Sequence, residues 1–226
     1  MTITSNVESI VSELPANTRL VVISKTKTES EIMEAYHAGQ RMFGENKVQE
    51  LVPRYHNLPK DIEWHLVGHL QTNKVKYIAN FIQLIHSVDT LSLFLEIDKQ
   101  ARKINRVINC LLQVHIAQEE TKFGLSEVEL FELIASPSFK ASANVRTVGL
   151  MGMASLTDNE EQVRNEFRFL ANLFKQLKTT TFANKPYFKE LSMGMSSDYK
   201  IAAEEGSTLV RIGSKIFGER SYPTAQ

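Results

Sequence analysis

An excess of either charge is missing from this sequence: 26 Lys and Arg are matched by 26 Asp and Glu, for a formal net charge of zero. A chain without a positive field does not recruit nucleic acid or an anionic membrane by long-range electrostatics, so neither is an expected partner. Cysteine is nearly absent. Cys110 stands alone, which excludes an intramolecular disulfide. Its place in the apolar run V-I-N-C-L-L-Q-V makes it a small core residue suited to a reducing cytoplasm. No apolar run approaches the roughly 20 residues of a membrane helix. The N-terminal M-T-I-T-S-N-V-E-S-I-V has no basic segment leading into a long apolar one, so no export signal is expected. Low-complexity tracts and internal repeats are also lacking.

What is present is a regular alternation. Apolar or β-branched runs recur at Leu20 to Ile23, Arg41 to Phe43, Glu63 to Val67, Leu84 to Val88, Val107 to Val114, Val145 to Leu150, Tyr187 to Leu191 and Thr208 to Ile212. These are eight candidate strands. The segments between them carry helical periodicity. In E-S-E-I-M-E-A-Y-H-A-G, Ile32, Met33 and Tyr36 share a face and Gly39 is a stop signal. From Asp158 to Leu177, Val163, Phe167, Leu170, Leu173, Phe174 and Leu177 are spaced by threes and fours behind a T-D-N-E-E opening suited to capping. Eight β-to-α units in 226 residues predict one (β/α)8 barrel, a single domain spanning 1–226. A doubly wound open sheet is the alternative, but no G-x-G-x-x-G follows any strand.

The first strand raises a chemical question. V-V-I-S-K-T-K-T, from Val21 to Thr28, passes from four adjacent apolar residues, Leu20 to Ile23, to two lysines. Taken alone, Lys25 reads as a solvated lysine just past a strand. In a barrel, strand C-termini face the active-site mouth, and strand eight closes against strand one. Arg211, near the end of T-L-V-R-I-G-S-K, is therefore expected beside Lys25. Neighbouring cations disfavour lysine protonation, favour a nucleophilic amine and call for an anionic ligand. Gly213 and Ser214 open the last helix, and Gly194, Ser196, Ser197 and Asp198 lie in the turn after strand seven; phosphate sites after strands seven and eight are frequent in this fold. Each motif alone is also explained by ordinary capping or turn formation. Together with Lys25 they describe a site for a phosphorylated aldehyde bound as an imine. Pyridoxal phosphate has that shape, and a Schiff-base phosphosugar aldolase would need the same features.

Other conspicuous residues have plainer readings. His65 and His69 in H-L-V-G-H lack the H-E-x-x-H pattern, so no metal is expected there. Met151, Met153, Met193 and Met195 are expected to fill the barrel top. Q-T-N-K-V-K, Gln71 to Lys76, suits either an exposed helix start or a partner surface.

Five segments carry a family resemblance: S-K-T-K at 24–27, F-G-E-N at 43–46, H-L-V-G-H-L-Q-T-N-K at 65–74, L-S-M-G-M-S-S-D at 191–198 and V-R-I-G-S-K-I-F-G at 210–218. In this order they resemble the pyridoxal phosphate homeostasis protein family, which is itself similar to the barrel domain of bacterial alanine racemase. The resemblance implies an alanine-racemase N-terminal-type barrel in which Lys25 forms an internal aldimine with pyridoxal 5'-phosphate. It places Arg211 at the pyridine nitrogen, Ser196, Gly213 and Ser214 around the phosphate, and Asn46 near the ring. Ser214 stands where threonine is common, keeping a hydroxyl, and Thr28 where proline is common, losing a rigid turn. An arginine cannot accept a proton, so the pyridine would stay neutral and stabilise carbanions poorly. Only S-Y-P-T-A-Q follows Arg220, so the second domain and second base of a racemase are not expected. The implied function is non-catalytic homeostasis of pyridoxal phosphate, and thereby of amino and keto acids. The expected setting is a cytoplasmic monomer with pyridoxal-phosphate-dependent apoenzymes as recipients. The alternative is a racemase or decarboxylase acting on amino acids.

Overall fold

The computed structural model describes residues 2–119 and 121–218. Eight strands, β1 (Arg19–Ile23), β2 (Met42–Glu45), β3 (Glu63–Leu66), β4 (Leu84–Val88), β5 (Ile108–His115), β6 (Val145–Met153), β7 (Glu190–Ser192) and β8 (Leu209–Ile212), pair in chain order into a closed barrel. Every pairing is parallel, and β8 closes on β1 with Val21 opposite Arg211. Parallel neighbours need a long crossover. Helices α1 (Ile3–Glu13), α2 (Glu29–His37), α3 (Val48–Asn57), α4 (Val75–Ile78), α5 (Leu91–Lys103), α6 (Glu127–Ala135), α7 (Pro137–Ala141), α8 (Glu160–Thr179), α9 (Tyr199–Glu204) and α10 (Ser214–Phe217) surround the barrel. Among the described residues no helix is long and apolar enough to cross a membrane.

Two apolar layers explain the continuous hydrophobic strands. In β1, Val21 and Ile23 join Leu84, Leu111, Val148, Met151 and Leu209 inside the barrel. Leu20 and Val22 point the other way, into the larger layer between barrel and helices. Side chains alternate across a strand, and here both faces are covered, so the run needs no polar residue. The same outer layer receives Val163, Phe167, Leu170, Leu173 and Leu177 of α8, while Phe174 is only partly buried against it. That helix is capped by Asn159, whose side chain accepts from the Gln162 N–H at 3.2 Å.

One local expectation is corrected, and a second gains a local explanation. Strand seven was expected at Tyr187 to Leu191, but β7 covers only Glu190–Ser192. The apolarity of Phe188 serves a different purpose: it is fully buried between Phe182 and Phe174, with ring centroids 4.1 and 5.1 Å away, and anchors the approach from α8. The rigid turn expected to be lost at Thr28 is replaced by a capping box. Thr28 accepts from the Glu31 N–H at 3.3 Å, while the Glu31 carboxylate accepts from the Thr28 N–H at 2.8 Å. Both groups satisfy donors that a helix start leaves open.

Candidate functional site

The C-terminal ends of the strands surround a cavity of about 660 Å³. All six residues singled out from the sequence, Lys25, Asn46, Ser196, Arg211, Gly213 and Ser214, line it. Three of the four methionines expected at the top fall in or under it: Met153 and Met195 line the cavity, and Met151 packs in the barrel interior. Met193 instead joins the outer layer.

Lys25 is half-buried on the loop leaving β1. A turn in which the Lys27 N–H bonds the Ser24 carbonyl at 3.0 Å shapes this loop, and Thr26 sits at φ 66°. Non-glycine residues adopt that conformation only when their surroundings hold them there. The holding group is Arg54 of α3, which donates to the Ser24 carbonyl at 3.1 Å and the Lys27 carbonyl at 2.7 Å. Arg54 is in turn paired with Glu45 at the end of β2, a fully buried carboxylate that also accepts from the Ser24 hydroxyl. Burial pushes the Glu45 carboxyl up from its ordinary range, against the pull of Ser24 and Arg54. Lys27 also lines the cavity, with its Nζ engaged 3.3 Å from the Phe217 carbonyl and 3.4 Å from Glu31.

Asn46 follows β2 immediately, and Gly68 after β3 lets the two loops approach. A Cβ at Gly68 would fall 2.4 Å from the Asn46 carbonyl oxygen, a distance no larger residue tolerates. Gly194, at φ +93°, turns the chain after β7. The expected capping of α9 by Ser196, Ser197 or Asp198 takes another form. Asp198 occupies the N-cap without a side-chain cap bond, and its carboxylate accepts from the Met195 N–H at 2.6 Å, closing the turn onto itself. Ser196 is left facing the cavity and accepts from the Gly213 N–H at 3.3 Å. Gly213 passes close to β1, where a Cβ would stand 3.0 Å from the Ile23 carbonyl oxygen. The N–H groups of Ser214 and Lys215 belong to the first turn of α10, where donors have no intrahelical partner.

Arg211 is buried, at 4% exposure. Its guanidinium donates to Ser192 Oγ at 2.6 Å and to the Gly152 carbonyl at 3.1 Å. Burial lowers its pKa to about 10, so it is still a cation at neutral pH. Sequence reasoning missed the polar residues behind it. Ser192 also lies 2.9 Å from His86 Nδ1, and His86 Nε2 lies 3.0 Å from His65 Nδ1, all inside the barrel. The only available signal was the inward phase of His65 and His86 within their strands, which an isolated strand does not reveal. His69 lies apart from this pair, 3.5 Å from Asp89 and stacked on Phe123 at 4.4 Å between centroids. Among the described residues no cluster of three or more His, Cys, Asp or Glu is placed to hold a metal ion. Gln71 to Lys76 form the exposed 3-10 turn Thr72–Lys74 and the start of α4.

The arrangement is a mouth lined by the lysines Lys25, Lys27 and Lys215, a fixed buried cation at Arg211, and hydroxyl and backbone N–H donors. That set suits an anionic ligand with an electrophilic carbon. The alanine racemase N-terminal domain family model matches residues 1–221. The pyridoxal phosphate homeostasis protein of Aquifex aeolicus is 43% identical over 205 residues, 90% of this chain and 88% of that protein. The solved structure of PipY from Synechococcus elongatus with pyridoxal phosphate bound is 34% identical, covers 96% of this chain and 100% of its own, and superposes with a TM-score of 0.86. Alanine racemase from Bartonella henselae shares the fold at a TM-score of 0.72 and 19% identity, with 58% of its length covered. On the extent and level of these matches, the chain belongs to the pyridoxal phosphate homeostasis protein family, within the larger group built on the alanine racemase N-terminal domain.

Proposed function

We propose that the mouth cavity binds pyridoxal phosphate and that the protein serves the intracellular homeostasis of this cofactor, and thereby of amino and keto acids, without being an enzyme. The observation that carries this reading is the convergence of Lys25, Arg211, Ser196, Gly213 and Ser214 on one cavity, in a chain whose relatives bear that name and include a structure with the cofactor bound. When bound, the cofactor supplies an aldehyde for capture by an amine and a pyridine ring whose strength as an electron sink depends on its protonation.

Each residue has one task. Lys25 holds the cofactor covalently through Nζ. Ser196, Gly213 and Ser214 hold the phosphate with hydroxyl and backbone donors, and the missing Cβ of Gly213 lets that corner pack close to the Ile23 carbonyl of β1. Asn46 lies beside the ring. Arg211 faces the pyridine nitrogen as a donor that cannot accept a proton, which leaves the ring a weak sink. This favours holding and releasing the cofactor over turning over amino acids. One domain spanning 1–226, acting as a cytoplasmic monomer, then supplies pyridoxal-phosphate-dependent apoenzymes.

Purified protein loaded with pyridoxal phosphate should be yellow, and borohydride should fix the cofactor to Lys25. Mass spectrometry finding the adduct on Lys27, or on no lysine, would overturn the assignment. Incubation with L- and D-amino acids should show no sustained racemisation or carbon dioxide release. A kcat above roughly 1 s⁻¹, the lower end of ordinary enzymes, lost in Lys25→Ala, would replace the non-catalytic reading with a racemase or decarboxylase.

A further inference from the structure

Four side chains form a hydrogen-bonded line inside the barrel: Arg211 Nη1 to Ser192 Oγ at 2.6 Å, Ser192 Oγ to His86 Nδ1 at 2.9 Å, and His86 Nε2 to His65 Nδ1 at 3.0 Å. Their exposures are 4%, 0%, 0% and 3%, so all four side chains are withdrawn from bulk solvent. The line starts at the mouth. It ends at His65, which lines a second cavity of about 510 Å³ at the opposite, N-terminal ends of the strands, together with Arg19, Glu63 and Leu84.

The chemistry of arginine fixes every proton along this line. A guanidinium has donors only, so Ser192 Oγ accepts from Arg211. The serine hydroxyl has one hydrogen to give, and among the described residues its other partner is His86 Nδ1. That nitrogen must therefore be bare, which puts the His86 proton on Nε2. His86 Nε2–H then donates to His65 Nδ1, which must also be bare, and the His65 proton sits on Nε2. The reverse assignment has His86 donating to Ser192 and leaves the serine hydrogen between two donors in a buried site, an orphaned polar group. A second proton on either ring is opposed by burial, which pushes His65 down to about 3 and His86 well below its ordinary value. Arg19 acts on His65 in the same direction, and Arg211 on His86.

We propose that Ser192 and His86 are positioning residues for Arg211, holding the guanidinium at one angle to the mouth through a one-way hydrogen-bond line that keeps both histidines as neutral Nε2–H tautomers. The proposal rests on the reading of the mouth as a pyridoxal phosphate site. It adds to that reading a reason why the arginine stays fixed although no carboxylate among the described residues bonds it: the Gly152 carbonyl holds one nitrogen, and the serine, held in turn by a neutral imidazole, holds the other.

The test uses the full chain labelled with 15N-histidine. His65 and His86 are assigned among the six histidines from the spectra of His65→Gln and His86→Gln. In the unsubstituted chain at neutral pH, both rings should show a pyridine-like Nδ1 and a pyrrole-like Nε2. An Nδ1–H tautomer or an imidazolium at His86 overturns the one-way line, whatever the cofactor does. Ser192→Ala removes the acceptor of Arg211 and the donor to His86 together. It should release the His86 tautomer and weaken pyridoxal phosphate binding about tenfold, with a shifted absorption band. Ser192→Thr, which restores the hydroxyl, should recover the tautomer and the band. Unchanged affinity and band in Ser192→Ala overturn the positioning role. If the unsubstituted chain takes up no pyridoxal phosphate, the cofactor reading fails and takes the positioning role with it, while the tautomers still report on the line by themselves.

Discussion

Arg54 of α3 and Glu45 at the end of β2 form a buried ion pair behind the loop that carries Lys25. The pair does structural work on that loop, because the same guanidinium donates to the Ser24 and Lys27 carbonyls that bracket Lys25. Removing one partner strands the other: Arg54→Met leaves the Glu45 carboxylate buried beside only the Ser24 hydroxyl, with Oε2 already lacking a partner. Such a break typically costs about 3–5 kcal/mol. Urea unfolding should show a loss of that order together with poorer cofactor retention. The double variant Arg54→Met/Glu45→Gln, which removes the stranded charge, should lose less. Equal losses in the two proteins would mean that the cost does not come from the stranded Glu45 charge.

Stability should fall on mild acidification, and the sign follows from the histidines. His65 and His86 have pKa values lowered by burial from the ordinary 6.5, His65 to about 3. Below pH 6.5 the unfolded chain binds protons at these two rings that the folded chain refuses. Their contribution is therefore complete above pH 6.5 and is lost as pH falls from there toward 3, at up to about 1.4 kcal/mol per pH unit for each ring. Urea titrations between pH 7.5 and 5 measure this above the range where most carboxylates titrate. A flat profile would place the two rings in contact with solvent.

Two glycines with nearly the same backbone angle should respond differently to alanine. Gly39 at φ +94° has nothing within 4 Å of a built Cβ, whereas at Gly194, φ +93°, that atom would lie 2.5 Å from Ala202 Cβ and 3.0 Å from the Tyr199 backbone. Gly39→Ala should cost only the left-handed conformation, about 1–2 kcal/mol. Gly194→Ala adds overpacking of a further ~1–3 kcal/mol. Because this turn carries Ser196, Gly194→Ala alone should also weaken pyridoxal phosphate binding. Equal unfolding free energies would rule out the clash.

Phe167 on α8 is fully buried in the layer between barrel and helices and is absent from the cavity lining. Phe167→Ala should destabilise the fold by about 3–5 kcal/mol while leaving cofactor affinity unchanged, measured at a temperature where the variant is still folded. A parallel loss of affinity would show that the mouth depends on the packing of this helix.

By itself the sequence determined the alternation of strands and helices, because doubly buried strands need unbroken apolar runs and amphipathic helices need spacings of three and four. It also marked Lys25, Ser196, Arg211, Gly213 and Ser214, since barrel closure makes the ends of strands one, seven and eight neighbours once the fold is known, while Asn46 was marked by the family resemblance alone. Tertiary structure decided what depends on where a side chain points. Phe188 looked like strand and became an aromatic anchor for the α8–β7 connection, because its partners Phe174 and Phe182 come from the preceding segment. Thr28, where proline is common, is by contrast one half of a capping box with Glu31, a local feature whose T-x-x-E spacing already stands in the sequence. The ion pair of Glu45 with Arg54 spans 9 positions, and the bond between His86 and Ser192 spans 106. Neither leaves a pattern along the chain, because what selects those residues is the need to satisfy a buried polar group across the barrel, and that need exists only after the strands have closed around it.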